Sequence, residues 1–343
     1  MKVGIVGLPN AGKSTLFNAL AQAGAESAEY PFTTVEPNVA VVPVPDSRLE
    51  QVADVLGIAR RVPEHLEVVD IAGLVRGAHQ GEGLGNRFLG HIRDVDAIVH
   101  VVRAFEHPQV AHPHGAVDPA DDLETVEAEL LLADLETAQR RLEAATKAAR
   151  SGDKQALADR ELWERTIAGL EAGRAAPPEA DLLTSKPVLV VANVGEGEAV
   201  PAALEGRAAV AVCARDEAEL GELDPAEAAG MRAELGIAEG ALQQVVREAY
   251  RLLGLITFFT AVGGTEVRAR SLPQGQTALD AAGRVHTDMQ RGFVRAEVIP
   301  WTELIEAGSF AAARDAGRLR IEGRDYVVAD GDVVTIKFTP PAL

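Results

Sequence analysis

Val3-Gly4-Ile5-Val6-Gly7-Leu8-Pro9-Asn10-Ala11-Gly12-Lys13-Ser14-Thr15 decides the fold. A short apolar, β-branched run ends in G-x-x-x-x-G-K-S and passes straight into a helical stretch, Thr15–Ala23, which is the context this motif requires. Glycines at this spacing let the backbone form a concave nest whose N–H groups converge on phosphate oxygens. The helix start adds a favourable field for anions. Asn10, Ala11, Gly12, Lys13, Ser14 and Thr15 are therefore the expected phosphate-side contacts. Lys13 should reach the β- and γ-phosphates, and the Ser14 hydroxyl should ligate Mg²⁺.

Outward from this loop, Asp70-Ile71-Ala72-Gly73 closes a second apolar run, Leu66–Val69. An acid at a strand end can hold the Mg²⁺ shell, and Gly73 can offer its N–H to the γ-phosphate. Between the two motifs, Thr34 is the preferred threonine to ligate Mg²⁺, with Thr33 its rival. Glycines are dense from Gly73 to Gly90, a composition suited to a loop that orders on a γ-phosphate. Leu74 stands where Ras-like GTPases carry the glutamine that orients water. Leucine neither donates nor accepts a hydrogen bond, so hydrolysis should be slow or use another group.

Apolar runs at Val39–Val44, Ala97–Val102, Pro187–Ala192 and Ala208–Val212 alternate with helical patterns, which predicts an α/β P-loop sheet. A helical stretch interrupts it. Leu131, Leu135, Ala138, Leu142, Ala145 and Ala149 alternate four and three apart, the seam of a coiled-coil hairpin. Ser151-Gly152-Asp153 breaks it, Trp163, Ile167 and Leu170 continue a return helix, and Pro177-Pro178 ends that helix. It reads equally as a partner-binding arm or a spacer. Thr257 onward reads as short strands around one or two helices, a small α+β domain. The expected division is thus 1–120 with 183–256 for the nucleotide domain, 121–182 for the insertion, and 257–343 for the last domain.

Asn193-Val194-Gly195-Glu196 follows the Pro187–Ala192 strand, where GTPases carry N-K-x-D. There an aspartate accepts two hydrogen bonds from guanine and the lysine stem packs on the base. Val194 removes the lysine, and Glu196 sets its carboxylate one methylene farther out, so discrimination for guanine is lost. Cys213-Ala214 occupies the place of the last base-contacting loop, or is only a strand end.

Gly7–Thr15, Pro31–Val39 and Asp70–Asn86, in this order and spacing, resemble the YchF or Obg-like ATPase family. The resemblance runs to the end of the chain. Phe258–Ala261, Glu266–Ala269, Val285–Asp288 and Arg291–Val298 are similar to the family's TGS domain, which implies a ubiquitin-like β-grasp. One departure is Ala11, where the family usually has valine. The resemblance implies ATP, with Asn193, Val194 and Glu196 around the base. It also implies a catalytic histidine in the loop after Val101–Phe105, with His112 the best match and His114 the rival. Lys13 and Gly73 would share in catalysis, and Asn10 would hold K⁺ if a monovalent cation is used, as in some related GTPases. The ribosome is the implied partner, through the helical arm and the TGS domain.

The remaining numbers set bounds. At 343 residues, two or three domains are expected. A formal charge of −19 argues against general DNA binding. From Phe258 onward, however, ten basic side chains face eleven acidic ones, which leaves room for local RNA contacts at Arg268, Arg270, Arg291 and Arg295. Cys213 is the sole cysteine, expected in a buried strand; it leaves no disulfide framework and fits a reducing cytoplasm. No apolar run nears the ~18 residues a membrane span needs, and the N-terminus enters a strand without a signal peptide. A site of His107, His112 and His114 lacks an acid partner and is flanked by prolines, against a metal centre. Three functions compete: a slow ATPase switch, a binding module in which nucleotide stabilises a scaffold, and a P-loop kinase. The kinase lacks the arginine-rich lid that class requires.

Overall fold

The computed structural model describes residues 1–27, 38–71, 84–113, 115–150, 152–234, 240–262 and 264–340. In chain order the elements are β1 (Lys2–Val6), α1 (Lys13–Ser27), β2 (Val39–Pro43), α2 (Ser47–Leu56), β3 (Arg60–Val62), β4 (His65–Asp70), α3 (Leu84–Arg93) and β5 (Ala97–Ala104). Then come α4 (Pro119–Ala149), α5 (Lys154–Glu171), β6 (Val188–Val194), β7 (Ala208–Val212), α6 (Ala214–Gly221), α7 (Pro225–Glu234) and α8 (Ala241–Leu252). The last are β8 (Leu255–Val262), β9 (Glu266–Pro273), α9 (Ala278–Val285), α10 (Thr287–Arg291), β10 (Phe293–Pro300), α11 (Trp301–Ala307), α12 (Phe310–Asp315), β11 (Arg320–Glu322) and β12 (Asp332–Phe338).

The first compact unit comprises Met1–Val42 and Leu66–Ala249. Its six-stranded sheet has the order β2-β4-β1-β5-β6-β7, and β4, β1, β5, β6 and β7 run parallel. Parallel strands buried on both faces need continuous apolar runs, and β5 is buried from Ala97 to Arg103. The six apolar runs read from the sequence all fall on strands of this sheet.

Helix α4 starts on an Asp118 cap, whose carboxylate accepts from the Ala120 and Asp121 amides, with Pro119 in its first turn. Its first half belongs to the nucleotide domain: Val126, Leu130 and Ala133 pack with Val6, Leu8, Ile71 and Phe88. Its second half makes the arm, where Ala138 and Ala145 meet Trp163 and Leu170 of α5. The expected boundary at 121 therefore falls inside one continuous helix. The turn expected at 151–153 is present, with Gly152 at φ 74° and Asp153 capping α5 through the Ala156 amide.

The second unit corrects the expected division. It comprises Pro43–His65 together with Tyr250–Leu343, so twenty-odd residues assigned to the nucleotide domain belong with the C-terminal one. Its sheet has the order β11-β10-β12-β8-β9-β3, with the β8–β9 hairpin antiparallel and β12 parallel to β8. A hairpin, a helix and a return strand beside the first strand is the β-grasp arrangement. The addition is β3, which pairs parallel to β9 from Arg60↔Glu266 to Val62↔Arg268.

Alternation explains why the loan is needed. Phe258 and Phe259 are both 0% exposed and point to opposite faces of β8. Ala278 and Ala281 of α9 cover the Phe258 face. Leu49, Val52 and Ala53 of α2 cover the Phe259 face with Leu304 and Ala313. Arg48 fastens α2 in place: its guanidinium donates to Asp46 at 2.8 Å and to Asp330 at 2.7 Å, and lies 5.7 Å from the Phe259 ring centre. Those carboxylate bonds hold its pKa above the usual arginine value. Replacing Leu49, 4% exposed in this core, by alanine should destabilise the C-terminal unit by about 2–5 kcal/mol. Calorimetry should show its unfolding shifted to lower temperature with nucleotide affinity unchanged; loss of affinity instead would return Leu49 to the nucleotide domain.

Candidate nucleotide site

The P-loop connects β1 to α1 and bends where only certain residues tolerate it. Gly7 has φ 151°, Asn10 φ 64° and Gly12 φ 91°. A Cβ on Gly7 would stand 2.3 Å from the Val101 carbonyl, and one on Gly12 would stand 2.0 Å from Asn193 Nδ2. The glycines thus serve close approach as much as backbone torsion.

Lys13, the first residue of α1, is 7% exposed. Its Nζ donates to the Leu8 carbonyl at 2.8 Å, leaving further N–H donors for a phosphate. Burial lowers its pKa, and the nearby Asp70 charge opposes that shift. Ser14 Oγ donates to Asp70 Oδ2 at 3.1 Å. Asp70 Oδ1 is buried with no hydrogen-bond partner among the described residues. A hydroxyl and an unsatisfied carboxylate oxygen side by side are a hard-oxygen donor set that fits Mg²⁺. When bound, the metal would offset charge on the phosphate oxygens, and Ser14 and Asp70 are the side chains that would hold it.

Asn193 ties the P-loop to the neighbouring helix. At 5% exposure, its Nδ2 donates to the Ala11 carbonyl at 2.9 Å and its Oδ1 accepts from the Ala214 amide at 3.1 Å. Both ends of the amide are spent buckling the P-loop to the start of α6. Val194 is 4% exposed and packs with Val102, Leu123, Val190 and Leu204. Glu196 is on the surface, its side chain 79% exposed and 3.7 Å from Arg215. Cys213 follows β7 as the cap residue of α6, partly buried rather than inside a strand, and burial raises its thiol pKa. Ala214 is 2% exposed and contributes its amide to the buckle.

His112 lies in the loop after β5, with Nε2 2.9 Å from Asp122 Oδ2 and both side chains almost wholly buried. His107 Nδ1 accepts from the Gln109 amide in the same loop. Asn10 Nδ2 reaches this loop, donating to the Ala111 carbonyl at 3.0 Å. Thr33, Thr34, Gly73, Leu74 and His114 lie outside the described residues. Of the arginines expected to meet RNA, Arg268 pairs with Glu266 at 3.2 Å and Arg270 donates to the Arg284 carbonyl at 3.1 Å. Arg103 went unnoticed in the sequence, where it reads only as a strand end; an arginine continuing a buried apolar strand was the available signal.

The sequence matches two family profiles: "50S ribosome-binding GTPase" over residues 2–141 and YchF-GTPase_C, described as "Protein of unknown function (DUF933)", over residues 255–339. It is 46% identical over 363 residues to a Bacillus subtilis protein named "Ribosome-binding ATPase YchF", covering 98% of this chain and 99% of that one. The chain belongs to the YchF family. The Escherichia coli member is 47% identical over 359 residues, with the same coverage, and the rice "Obg-like ATPase 1" is 41% identical over 98% of this chain and 92% of its own. The solved Schizosaccharomyces pombe YchF GTPase superposes with a TM-score of 0.87 at 33% identity, covering 98% and 97% of the two chains. YchF membership accounts for the order of the motifs; the buckle, the α2 loan and the His112–Asp122 pair come from the geometry.

Beneath the P-loop, His100 of β5 pairs in register with Val6 and is 2% exposed. Burial, then the Lys13 charge, lowers its pKa from 6.5 to about 3. An unfolded chain protonates this histidine near 6.5, while the folded strand resists to about 3. Its contribution to stability is therefore complete above that upper value and is lost as the pH falls, by up to about 1.4 kcal/mol per unit. Urea unfolding at pH 7 and pH 5 should show H100Q with a shallower pH dependence than the parent. Equal slopes would assign the acid sensitivity to other groups.

Proposed function

We propose that the chain is a Mg²⁺-dependent nucleoside-triphosphatase switch that binds and slowly hydrolyses ATP in preference to GTP, in concert with the ribosome. The observation that carries the nucleotide reading is the base side of the site. A buried valine stands where a guanine site has a lysine stem, and the nearest carboxylate, Glu196, is out in solvent beside Arg215. Neither makes the paired hydrogen bonds by which guanine is selected. The Bacillus subtilis and Escherichia coli relatives, both named ribosome-binding ATPases, support the reading. Calorimetric titration of one Mg²⁺-containing sample with each nucleotide tests it. ATP should bind at least about tenfold tighter, a difference of about 1.4 kcal/mol. Tighter GTP binding would make this an ordinary GTPase.

For the chemistry, Lys13 and the Gly73 amide are assigned to the phosphates, Ser14, Thr34 and Asp70 to Mg²⁺, and His112 to the attacking water. His112 must leave Asp122 to serve. H112A should lower turnover by about 10²-fold, the lower range for a positioned acid–base group, with ATP affinity unchanged. Turnover near the parent's would transfer the role to His114 or to another group. Asn10 Oδ1 has no partner among the described residues and is the atom assigned to K⁺. Turnover should then be faster in potassium than in sodium chloride.

A ribosomal partner places the work in the cytoplasm; among the described residues no helix is long and apolar enough to cross a membrane. Arg291 and Arg295 are the exposed cations of the C-terminal unit assigned to RNA phosphates, so ribosome binding should weaken steeply with salt. The binding-module reading draws on the His112–Asp122 pair, which engages the histidine's Nε2 with a carboxylate. Saturable turnover abolished by K13A would count against it.

A further inference from the structure

Arg103 is 2% exposed, yet its partners among the described residues are backbone carbonyls and one ring. Nη2 donates to Val110 O at 2.8 Å, Nε to Phe105 O at 3.2 Å and Nη1 to Ala111 O at 3.4 Å. The guanidinium carbon Cζ lies over the Phe105 ring, 4.7 Å from its centre. Desolvating a cation for carbonyl dipoles alone is costly, and an apolar side chain would fill the same core position without that cost. What the arginine adds is a rigid fork that collects carbonyls from both ends of one loop.

That loop ends on the P-loop. The Ala111 carbonyl bonded by Arg103 is the one that accepts from Asn10 Nδ2 at 3.0 Å. Asn10 is the non-glycine P-loop residue at positive φ, so its side chain direction is tied to the nest. His112 is the next residue after Ala111. We propose that Arg103 is a positioning residue for hydrolysis: through the Ala111 carbonyl it fixes the 105–112 loop on the P-loop, and so sets where His112 stands over a bound nucleotide. This rests on the assignment of His112 made above.

A residue that acts through another has no effect once the other is gone, so a double-mutant cycle on the full-length chain decides the matter. R103K keeps the charge and loses the fork. It should lower kcat by about tenfold or more while the ATP Kd stays within about threefold. Placed in the H112A background, R103K should change kcat by less than about twofold. Equal slowing in both backgrounds would overturn the proposal, as would a raised Kd with kcat intact. H112A turning over at the parental rate removes the His112 assignment itself, and this proposal with it; H112A slow with R103K additive removes this proposal alone. If near-UV circular dichroism shows R103K unfolded, F105A takes its place in the same comparison. It strips the stacking face and spares the three hydrogen bonds, and a smaller kcat loss that vanishes in H112A is the expected result.

Discussion

The side-chain amide of Asn193 holds the nucleotide end together. It sits at the C-terminal end of β6, in register with Arg103 of β5 on one side and Val212 of β7 on the other. One end of the amide takes the Ala11 carbonyl and the other the Ala214 amide. Loss of this side chain would leave two buried backbone groups unpaired, at about 1–3 kcal/mol each. Gly12 must lack a side chain because Asn193 Nδ2 fills the space. The nest, the start of α6 and the sheet ends thus obey a single constraint, and ligands in open α/β sheets gather outside those strand ends.

The loop after β5 extends the constraint. Arg103 and Asn193 are neighbours across two strands, and each reaches from the C-terminal end of its strand to a different part of the site. Asn193 grips the P-loop from beneath. Arg103 grips the 105–112 loop, whose Ala111 carbonyl is in turn gripped by Asn10. His112 is held at the side of this assembly by Asp122, in the first turn of α4, the helix whose later turns form the arm. A change in α4 therefore has a direct route to the histidine. The partner of His112 and the arm share one helix.

The C-terminal unit obeys a different constraint. Its central strand β8 carries apolar side chains on both faces, and a β-grasp helix covers one of them. The second face is closed by α2, which the chain supplies from between β2 and β4. In the structure Ser47–Leu56 form a capped amphipathic helix ending at Gly57, at φ 66°, and the sequence there offers only an apolar stripe. It does not show which sheet that helix covers, because an apolar stripe fits any apolar face of the right width. That is why the division read from the sequence placed 43–65 with its chain neighbours.

By itself the sequence determined the parts governed by local rules. The P-loop is legible because backbone torsion and close approach demand glycine at Gly7 and Gly12, and the chemistry demands Lys13 and Ser14. The buried parallel strands are legible because both faces are apolar, and the arm because its seam repeats along two helices. Only the tertiary structure decided which long-range partners each side chain meets. It made Asn193 a buckle between the P-loop and α6, buried Val194, set Glu196 in solvent and gave Arg103 a loop to hold. Hydrogen bonds between residues far apart in the chain leave no periodicity and no local composition behind them, so residue types alone do not encode them.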